Sequence, residues 1–522
     1  MAFRSRKGLL LMLLVAALGG QGCATLPERA ATPASFAISD FDSTFLGTLA
    51  KQSLPPESRL SGFELMPVAD AAYAARIELC QKAERTLDLQ YYLLQGDNTG
   101  KFLMRAARDA ALRGVRVRIL IDDYYTAGED PLLASLGATP NLEIQIFNPF
   151  PAWRSSSTGR FIAAGADFGR VDHRMHNKLL VADNAMAVAG GRNIADEYFM
   201  RAAENNFVDM DVLAAGPVVQ ELSSIFDRYW NSQYVYPLYA IVSAPVSDAA
   251  ARRAFEALTA DAVPPTETVP PRPELIQFTA VARDIQARHL HLTAAEATAF
   301  ADPLDKVTGK YADDRSGTVR ARVAQAMRAA QQSVLVISPY FVPGKLGLEA
   351  MQGLSERGVR LTLITNSLAS TDEPLAHGAY IESRAEMLKI GVNIYELSPT
   401  LAQKGRKLGQ FGRSLGRLHA KVAVIDERKL FVGSMNLDER SERLNTELGM
   451  LIDSPDLARQ FLQMSALTES AYHLRLSADG RDIEWVSGSG PDAEVVKAEP
   501  ETSWWLRFQV WLLSDVIPAS EL

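Results

Sequence analysis

Apolar and polar positions follow two different periods through most of the first half of the chain, and these periods predict alternating helices and strands. The predicted elements are helices at 70–85 and 101–113 and strands at 87–94, 115–121 and 142–147. Helices that alternate with short, buried strands are typical of βαβ units. The pattern therefore predicts an α/β domain with a largely parallel sheet flanked by helices.

The same rhythm returns in the second half of the chain. The predicted elements there are helices at 320–332 and 348–357 and strands at 334–338 and 359–365. RGVRVRILID at 113–122 and RGVRLTLITN at 357–366 are near copies. A repeat on this scale predicts two pseudo-symmetric α/β lobes, each a mixed, largely parallel sheet with helices on its faces.

Breaks in this rhythm divide the chain. We predict an N-terminal arm at 24–58, a first lobe at 59–243, an inter-lobe segment at 244–315, a second lobe at 316–475 and a C-terminal tail at 476–522. The tail contains three of the six tryptophans in its last 19 residues, at 504, 505 and 511. Such a cluster favours an interfacial helix, and the alternative is a helix docked on the protein's own core.

The N-terminus has the layout of a targeting segment. Arg4, Arg6 and Lys7 precede an apolar run at 9–18, which is too short for a comfortable membrane span. Residues 1–23 therefore predict a signal peptide, and Cys23 after Gly22 resembles a lipoprotein cleavage site, although Gly20 departs from that pattern. We expect an exported bacterial protein, a lipoprotein facing the periplasm. The alternative is an uncleaved anchor in the inner membrane.

A short polar pattern occurs twice, once in each predicted lobe. His176 and Lys178 are followed after four residues by Asp183, and His419 and Lys421 are followed in the same way by Asp426. The surroundings match as well, because HNKLLVADNAMAVAGGRNI aligns with HAKVAVIDERKLFVGSMNL. The chain has only seven histidines. Two copies of one half-site predict a single chemical centre shared by the lobes.

These residue types suit the chemistry of a phosphodiester. One histidine can be the nucleophile that forms a covalent phospho-enzyme, and the other can be the general acid and then the base. The two lysines can stabilise charge on the transferring phosphoryl group without a metal. We read residues 176–182 and 419–425 as strands, in which each histidine and its lysine share a face. The motif aspartates fall at the strand ends, where a structural role in the turn is expected.

The doubled motif, followed by Gly190-Gly191-Arg192-Asn193 and Gly433-Ser434-Met435-Asn436, resembles the phospholipase D superfamily. LDLQYYLL (87–94), SPYFVPG (338–344) and LNTELG (444–449) narrow the resemblance to bacterial cardiolipin synthases, with the C type most similar. The resemblance covers roughly residues 60 to 475. It implies two similar lobes that share one active site and phosphatidyl transfer through a phosphohistidine.

The resemblance also assigns supporting residues. Asn193, Ser434 and Asn436 are expected at the phosphate. Glu447 is expected to orient one histidine ring, and Asp209 the other, with Asp211 as the alternative to Asp209. We choose His176 as the nucleophile and His419 as the acid/base, an order that the pseudo-symmetry leaves open.

Composition limits the partners. The net charge of −8 and the pI near 5.6 argue against broad nucleic-acid binding, which requires a basic face. We expect no cofactor and no metal. The expected partners are the membrane surface and its phospholipids, namely phosphatidylglycerol and, as a further donor, phosphatidylethanolamine. A phospholipase D hydrolase, a nucleic-acid phosphodiesterase and a non-catalytic lipid-binding protein remain as alternatives.

Overall fold

The computed structural model describes residues 25–29, 32–56, 59–243, 247–264, 278–309, 316–400, 415–464, 466–488 and 493–514. The predicted signal peptide with Cys23 lies outside the described residues. So do parts of the predicted inter-lobe segment and the last residues of the tail.

The first lobe is built around one mixed sheet. Its strands are β1 (Ser61–Met66), β2 (Thr86–Tyr91), β3 (Arg116–Asp122), β4 (Leu142–Phe147), β5 (Leu179–Ala182), β6 (Met186–Gly190), β8 (Asp211–Ala215) and β9 (Val235–Pro237), and β7 (Asn205–Val208) lies apart from that sheet. Its helices are α1 (Phe45–Gln52), α2 (Ala69–Lys82), α3 (Asn98–Leu112), α4 (Asp130–Gly137), α5 (Ser157–Ala164), α6 (Phe168–Val171), α7 (Pro217–Trp230) and α8 (Leu238–Ile241).

The remaining elements form the connection, the second lobe and the tail. The strands are β10 (Thr293–Ala301), β11 (Ser333–Ile337), β12 (Arg360–Asn366), β13 (Asn393–Leu397), β14 (Leu415–Leu418), β15 (Val422–Ile425), β16 (Lys429–Gly433), β17 (Leu448–Asp453), β18 (Ala471–Leu476), β19 (Ile483–Ser487) and β20 (Glu494–Val496). The helices are α9 (Asp248–Leu258), α10 (Val281–Ala287), α11 (Val319–Arg328), α12 (Gly344–Glu356), α13 (Pro374–Ile390), α14 (Glu439–Arg443), α15 (Pro455–Met464) and α16 (Trp504–Ser514).

The two sheets repeat one arrangement, which confirms the predicted α/β fold of two similar lobes. Strands β2, β3 and β4 are parallel neighbours, as are β11, β12 and β13. Antiparallel strands continue each sheet, through β5, β6, β8 and β1 in the first lobe and through β15, β16 and β17 in the second. The repeated Arg-Gly-Val places Gly114 and Gly358 at φ 98° and 79° after α3 and α12, a conformation that favours glycine at a helix end.

Strand β10 joins the two sheets. Its first residues pair with β1, as in Thr293 opposite Phe63, and its remaining residues pair with β17, as in Ala301 opposite Leu448. The sequence showed no function for the inter-lobe segment that contains this strand. In the structure the segment makes the two sheets continuous and holds the lobes in a fixed register.

The tail helix α16 packs on α13. Val510 is buried, whereas Trp504, Trp505 and Phe508 remain exposed, with 69%, 51% and 40% of their surface accessible. The helix is therefore docked on the protein with most of its aromatic side chains outward, and the interfacial role stays a prediction. In the part of the chain that the structure describes, no helix is both long enough and apolar enough to cross a bilayer.

Candidate active site

Both motif histidines lie where the two lobes contact each other. The strand predicted over 176–182 is observed only from Leu179 and that over 419–425 only from Val422, so both histidines precede their strands. The reason lies in the main chain. The N–H of His176 donates to the carbonyl of Thr446, and that of His419 donates to the carbonyl of Val208. These backbone groups bind the opposite lobe and not their own sheet.

Each imidazole also contacts a carboxylate of the opposite lobe. His176 Nδ1 lies 2.9 Å from Glu447 Oε2, and His419 Nδ1 lies 2.7 Å from Asp209 Oδ2. All four side chains are buried. Asp211, the alternative to Asp209, instead binds the guanidinium groups of two arginines. The site is thus built crosswise, because each lobe supplies the carboxylate for the other lobe's histidine.

Burial favours neutral imidazoles and the neighbouring charges keep the carboxylates ionised. Burial, with Lys178 adding to it, lowers the pKa of His176 to about 4, although Glu447 opposes this shift. Burial also lowers the pKa of His419. For Asp209 burial acts upward, but its interaction and hydrogen bond with His419, together with the charge of Lys421, outweigh burial and lower the pKa to about 2. A neutral imidazole that donates Nδ1–H to a carboxylate keeps its Nε2 lone pair available.

Both motif lysines are buried beside their own histidines. Lys178 Nζ donates to the main-chain carbonyl of His176 at 2.6 Å, and Lys421 Nζ donates to that of His419 and lies 2.9 Å from His419 Nδ1. Burial lowers the pKa of Lys178 well below its usual value and that of Lys421 to about 8, against the raising effect of nearby carboxylates. An anion that enters the site favours the charged form of both amines.

The side chains expected at the phosphate differ in their contacts. Asn193 donates to the hydroxyl of Tyr198 at 2.9 Å. The buried Oδ1 atoms of Asn193 and Asn436 accept no hydrogen bond from the described residues. The hydroxyl of Ser434 donates to Glu447 Oε2 and lies 3.3 Å from the carbonyl of Leu448. In this geometry Ser434 contacts the carboxylate beside His176, and its role at the phosphate stays a prediction.

The motif aspartates hold backbone amides. Asp183 accepts from the N–H groups of residues 84, 85 and 86, at 2.7 to 3.1 Å, where β2 begins. Asp426 accepts from those of residues 331, 332 and 333, where β11 begins. Each aspartate lies seven residues beyond its histidine, which is roughly 20 Å along extended backbone. In this geometry they fix the sheet and do not touch the reacting atoms.

Several side chains around the histidines were not predicted from the sequence. Tyr92 and Tyr198 stand edge-on to His176 and His419, each with ring centroids 5.0 Å apart. Tyr340 donates to Asp372 Oδ2 at 2.7 Å. Burial lowers the pKa of His419 and of Lys421, and the charge of Asp372 offsets a small part of that lowering. Two sequence features could have indicated tyrosines at the site, namely the adjacent tyrosines in LDLQYYLL and the tyrosine in SPYFVPG. Each of these stretches lies at the end of a central parallel strand.

Asp302, at the end of β10, was also missed. It accepts from the N–H of Glu447 at 3.1 Å and from Lys306 Nζ at 2.6 Å, while Lys306 also donates to the carbonyl of Ser441. The hydroxyl of Ser441 in turn donates to Glu447. The connecting segment therefore supports the carboxylate that orients His176. Among the described residues, no group of three or more His, Cys, Asp and Glu side chains is placed to hold a metal ion.

Comparison with known proteins identifies the family of the chain. A family model described as "Cardiolipin synthase, PLD-like domain" matches residues 77–230 and 323–466. Cardiolipin synthase C of Escherichia coli is 37% identical over 463 residues, which cover 86% of this chain and 94% of that protein. Cardiolipin synthase A of Pseudomonas entomophila is 24% identical over 77% of this chain and 67% of its own length.

A solved structure shares the fold. The crystal structure of phosphatidylserine synthase from Haemophilus influenzae superimposes with a TM-score of 0.55 at 14% identity, covering 90% of this chain and 97% of that one. The chain is therefore an enzyme of the phospholipase D type, with a phosphatidyltransferase fold. It belongs to the cardiolipin synthase, PLD-like family, as the match over both lobes and the identity to cardiolipin synthase C show.

Proposed function

We propose that this protein is a membrane-associated transphosphatidylase that forms cardiolipin by moving a phosphatidyl group onto phosphatidylglycerol. The observation that carries the proposal is the crosswise pairing of His176 with Glu447 and of His419 with Asp209. A neutral His176 that can attack, and an oriented His419 that can carry and return a proton, suit a two-step displacement at phosphorus beside two buried lysines. The 37% identity to a cardiolipin synthase supports the choice of reaction.

In the first step His176 Nε2 attacks the donor phosphorus and forms an N–P bond. The bond from phosphorus to the leaving alcohol breaks, and the protonated form of His419, an imidazolium that Asp209 stabilises, gives that oxygen its Nε2 proton. In the second step the acceptor hydroxyl returns a proton to His419 and attacks the phosphohistidine, which releases His176. Lys178, Lys421 and the two asparagines stabilise the non-bridging oxygens in both steps.

The surface of the second lobe supports attachment to the membrane. Helix α16 is docked through Val510 and presents Trp504, Trp505 and Phe508 to solvent. Tryptophan side chains favour the headgroup region of a bilayer. A cleaved signal peptide with a lipid on Cys23 is the second attachment in this proposal, facing the periplasm, and an uncleaved N-terminal anchor is its alternative.

The test is a lipid assay of the purified protein in mixed micelles, first with phosphatidylglycerol alone and then with phosphatidylethanolamine added. We expect cardiolipin as the product. Release of phosphatidic acid without cardiolipin would identify a hydrolase, which uses water as the acceptor, and would reject the proposal.

Variants locate the reaction at the paired motifs. His176→Ala and His419→Ala should each abolish turnover, because neither half-site has a complete set of groups. His289→Ala is the matched control, since His289 is exposed and lies outside the site. Near-normal activity in either motif variant would contradict the shared site.

A further inference from the structure

The second lobe contains an apolar cavity away from the paired histidines. Its volume is about 490 Å³, and it lies between α11, α12 and the face of β11 and β12 that these helices cover. Side chains from all four elements form the walls, among them Ala324, Met327, Val336, Ala350, Met351 and Leu363. Cavities of about 300–1,000 Å³ with mostly apolar walls are typical of small-molecule sites.

In the first lobe the equivalent helices, α2 and α3, pack directly against each other. The motif aspartates set the correspondence, since Asp183 binds the N–H of Glu84 and Asp426 binds that of Gln331. Seven residues before these positions stand Ile77 in the first lobe and Ala324 in the second. The large side chain of Ile77 fills this space in the first lobe, whereas Ala324 places only a methyl group at the cavity.

Two further exchanges open the same space. Eleven residues before Glu84 and Gln331 stand Tyr73 and Arg320, and the buried Tyr73 ring packs on Phe199 with centroids 4.9 Å apart. Six residues after Asn193 and Asn436 stand Phe199 and Glu442. In the second lobe the aromatic pair is therefore replaced by an ion pair, in which Arg320 lies 3.1 Å from Glu442.

The repeated Arg-Gly-Val gives the register of α3 and α12. Ten residues before Arg113 and Arg357 stand Leu103 and Gly347. Leu103 is fully buried in the first core, whereas Gly347 lines the cavity. Four exchanges in one duplicated unit have removed the apolar side chains that fill this space in the first lobe.

The cavity rim is cationic. Four cationic side chains and two carboxylates line it, namely Arg320, Arg328, Lys345, Arg443, Glu439 and Glu442. Glu442 pairs with Arg320 and Glu439 with Arg443, so the excess positive charge is that of Arg328 and of Lys345, which lies 3.8 Å from the exposed Glu349. The whole chain has a net charge of −8, so the positive charge at this rim is opposite in sign to that of the protein as a whole. An apolar cleft under a basic rim matches a fatty-acyl chain joined to a phosphate.

The position of the cavity fits the same ligand. Helix α12 packs on α13, which carries the exposed aromatic helix α16, so all three belong to one helical layer. Leu346, at the cavity edge, is 78% exposed. On the inner side, Met327, Val336 and Leu437 also line a void of about 10 Å³ that reaches Lys421.

We propose that this cavity binds an acyl chain of an anionic phospholipid, with the phosphate held by the cationic rim. It is a second lipid site that is separate from the catalytic centre. Binding at this site does not depend on the proposed reaction, because the cavity walls include neither of the two motif histidines and neither of the two motif lysines.

The test is photo-crosslinking of the full-length protein in mixed micelles. The probe is phosphatidylglycerol with a diazirine in one acyl chain, and the labelled peptides are mapped by mass spectrometry. We expect labels in residues 319–328 and 344–356. Labels confined to the catalytic centre or to α16, or no labels at all, would overturn the proposal.

Filling the cavity should remove those labels. Ala324→Leu and Ala350→Leu, on opposite walls, should each lower labelling of the two helices at least fivefold. Their matched controls, Gln325→Leu and Gly353→Leu, lie on the same helices outside the cavity and should not change it. Unaltered labelling in both cavity variants, with unchanged melting temperatures, would contradict the site.

The rim is tested with a second probe. Lys345→Gln with Arg328→Gln should lower labelling by the phosphatidylglycerol probe to the level seen with a phosphatidylcholine probe of the same chain. Equal labelling by both probes in the unmodified protein would reject the cationic part of the proposal. Labelled helices without cardiolipin formation would reject only the proposed reaction, and cardiolipin formation without labelled helices would reject only this site.

Discussion

At the scale of single residues, the buried lysines determine how the site responds to pH. Lys421 lies beside His419, and burial lowers its pKa to about 8 while Asp209 and Glu447 oppose the shift. A lysine that must carry charge to stabilise the phosphoryl group stops doing so as the pH rises above its pKa. The site therefore loses positive charge from about pH 8 upward.

We accordingly expect kcat/KM to fall on the alkaline side from about pH 8, since this ratio reports groups of the free enzyme. Lys421→Arg should lower the maximum rate, because a planar guanidinium does not replace an ammonium. The pH at which kcat/KM begins to fall should nevertheless rise by more than about one pH unit, because arginine keeps its charge. Lys389→Arg, on an exposed face, is the control. A limb that stays at the same pH in Lys421→Arg would assign it to another group.

At the scale of elements, the motif aspartates connect the active-site strands to the parallel core. Asp183 is buried and binds three consecutive N–H groups, and Asp426 does the same at a more exposed position. Hydrogen bonds to a charged group contribute about 1.5–3 kcal/mol, and more where burial excludes water.

Asp183→Asn should therefore destabilise the protein by about 2–3 kcal/mol and Asp426→Asn by about 1 kcal/mol, since the second turn is solvated. Both variants should keep kcat within about threefold at a temperature where they are folded, far less than the loss on removing a group that stabilises the transition state. Urea unfolding and steady-state kinetics check the two parts. A loss of kcat above a hundredfold with normal stability would make either aspartate catalytic.

The exposed aromatic residues of α16 make a separate prediction. Trp504→Ser with Trp505→Ser should lower co-sedimentation with liposomes at least tenfold in a Cys23→Ala background, because burying each side chain at an interface contributes about 1.5–3 kcal/mol. The melting temperature should not change. Val510→Ala is the opposite control, since Val510 is buried against the protein and its loss should weaken docking of the helix. A lower melting temperature and normal co-sedimentation for the tryptophan variant would show a purely structural helix.

The sequence predicted most of the parallel core correctly because apolar periodicity follows burial. The helices and strands of both βαβ units begin and end within a few residues of their predicted bounds. The strands at His176 and His419 were predicted too long, because their backbone groups bind the opposite lobe. No local pattern contains that information, since a contact between lobes depends on residues hundreds of positions apart.

In the candidate site, too, the residues with a local pattern were predictable and the residues placed by contacts between elements were not. The histidines and lysines stand out because they repeat at one spacing. Tyr92, Tyr198 and Asp302 do not, since their roles come from packing across elements. Ser434 was assigned to the phosphate by position in the motif, and its contact with Glu447 comes from the fold of the half-site.

At the scale of the whole molecule, the connection between the lobes is part of the catalytic framework. Strand β10 pairs with both sheets, and Asp302 at its end binds the N–H of Glu447 and the buried ammonium of Lys306. Removing one partner of a buried pair leaves an uncompensated charge, which costs about 3–5 kcal/mol. Asp302→Ala should therefore lower the free energy of unfolding by that amount.

The same change should also lower activity, because Glu447 loses a contact that positions it. Asp302→Ala with Lys306→Met should recover part of the stability, since the unpaired charge is gone, without recovering the rate. Asp305→Ala, three residues along and exposed, is the control for both measurements. Urea unfolding and lipid kinetics follow the two effects separately. If Asp302→Ala left both unchanged, β10 would be a passive tether, and the orientation of His176 would depend on the second lobe alone.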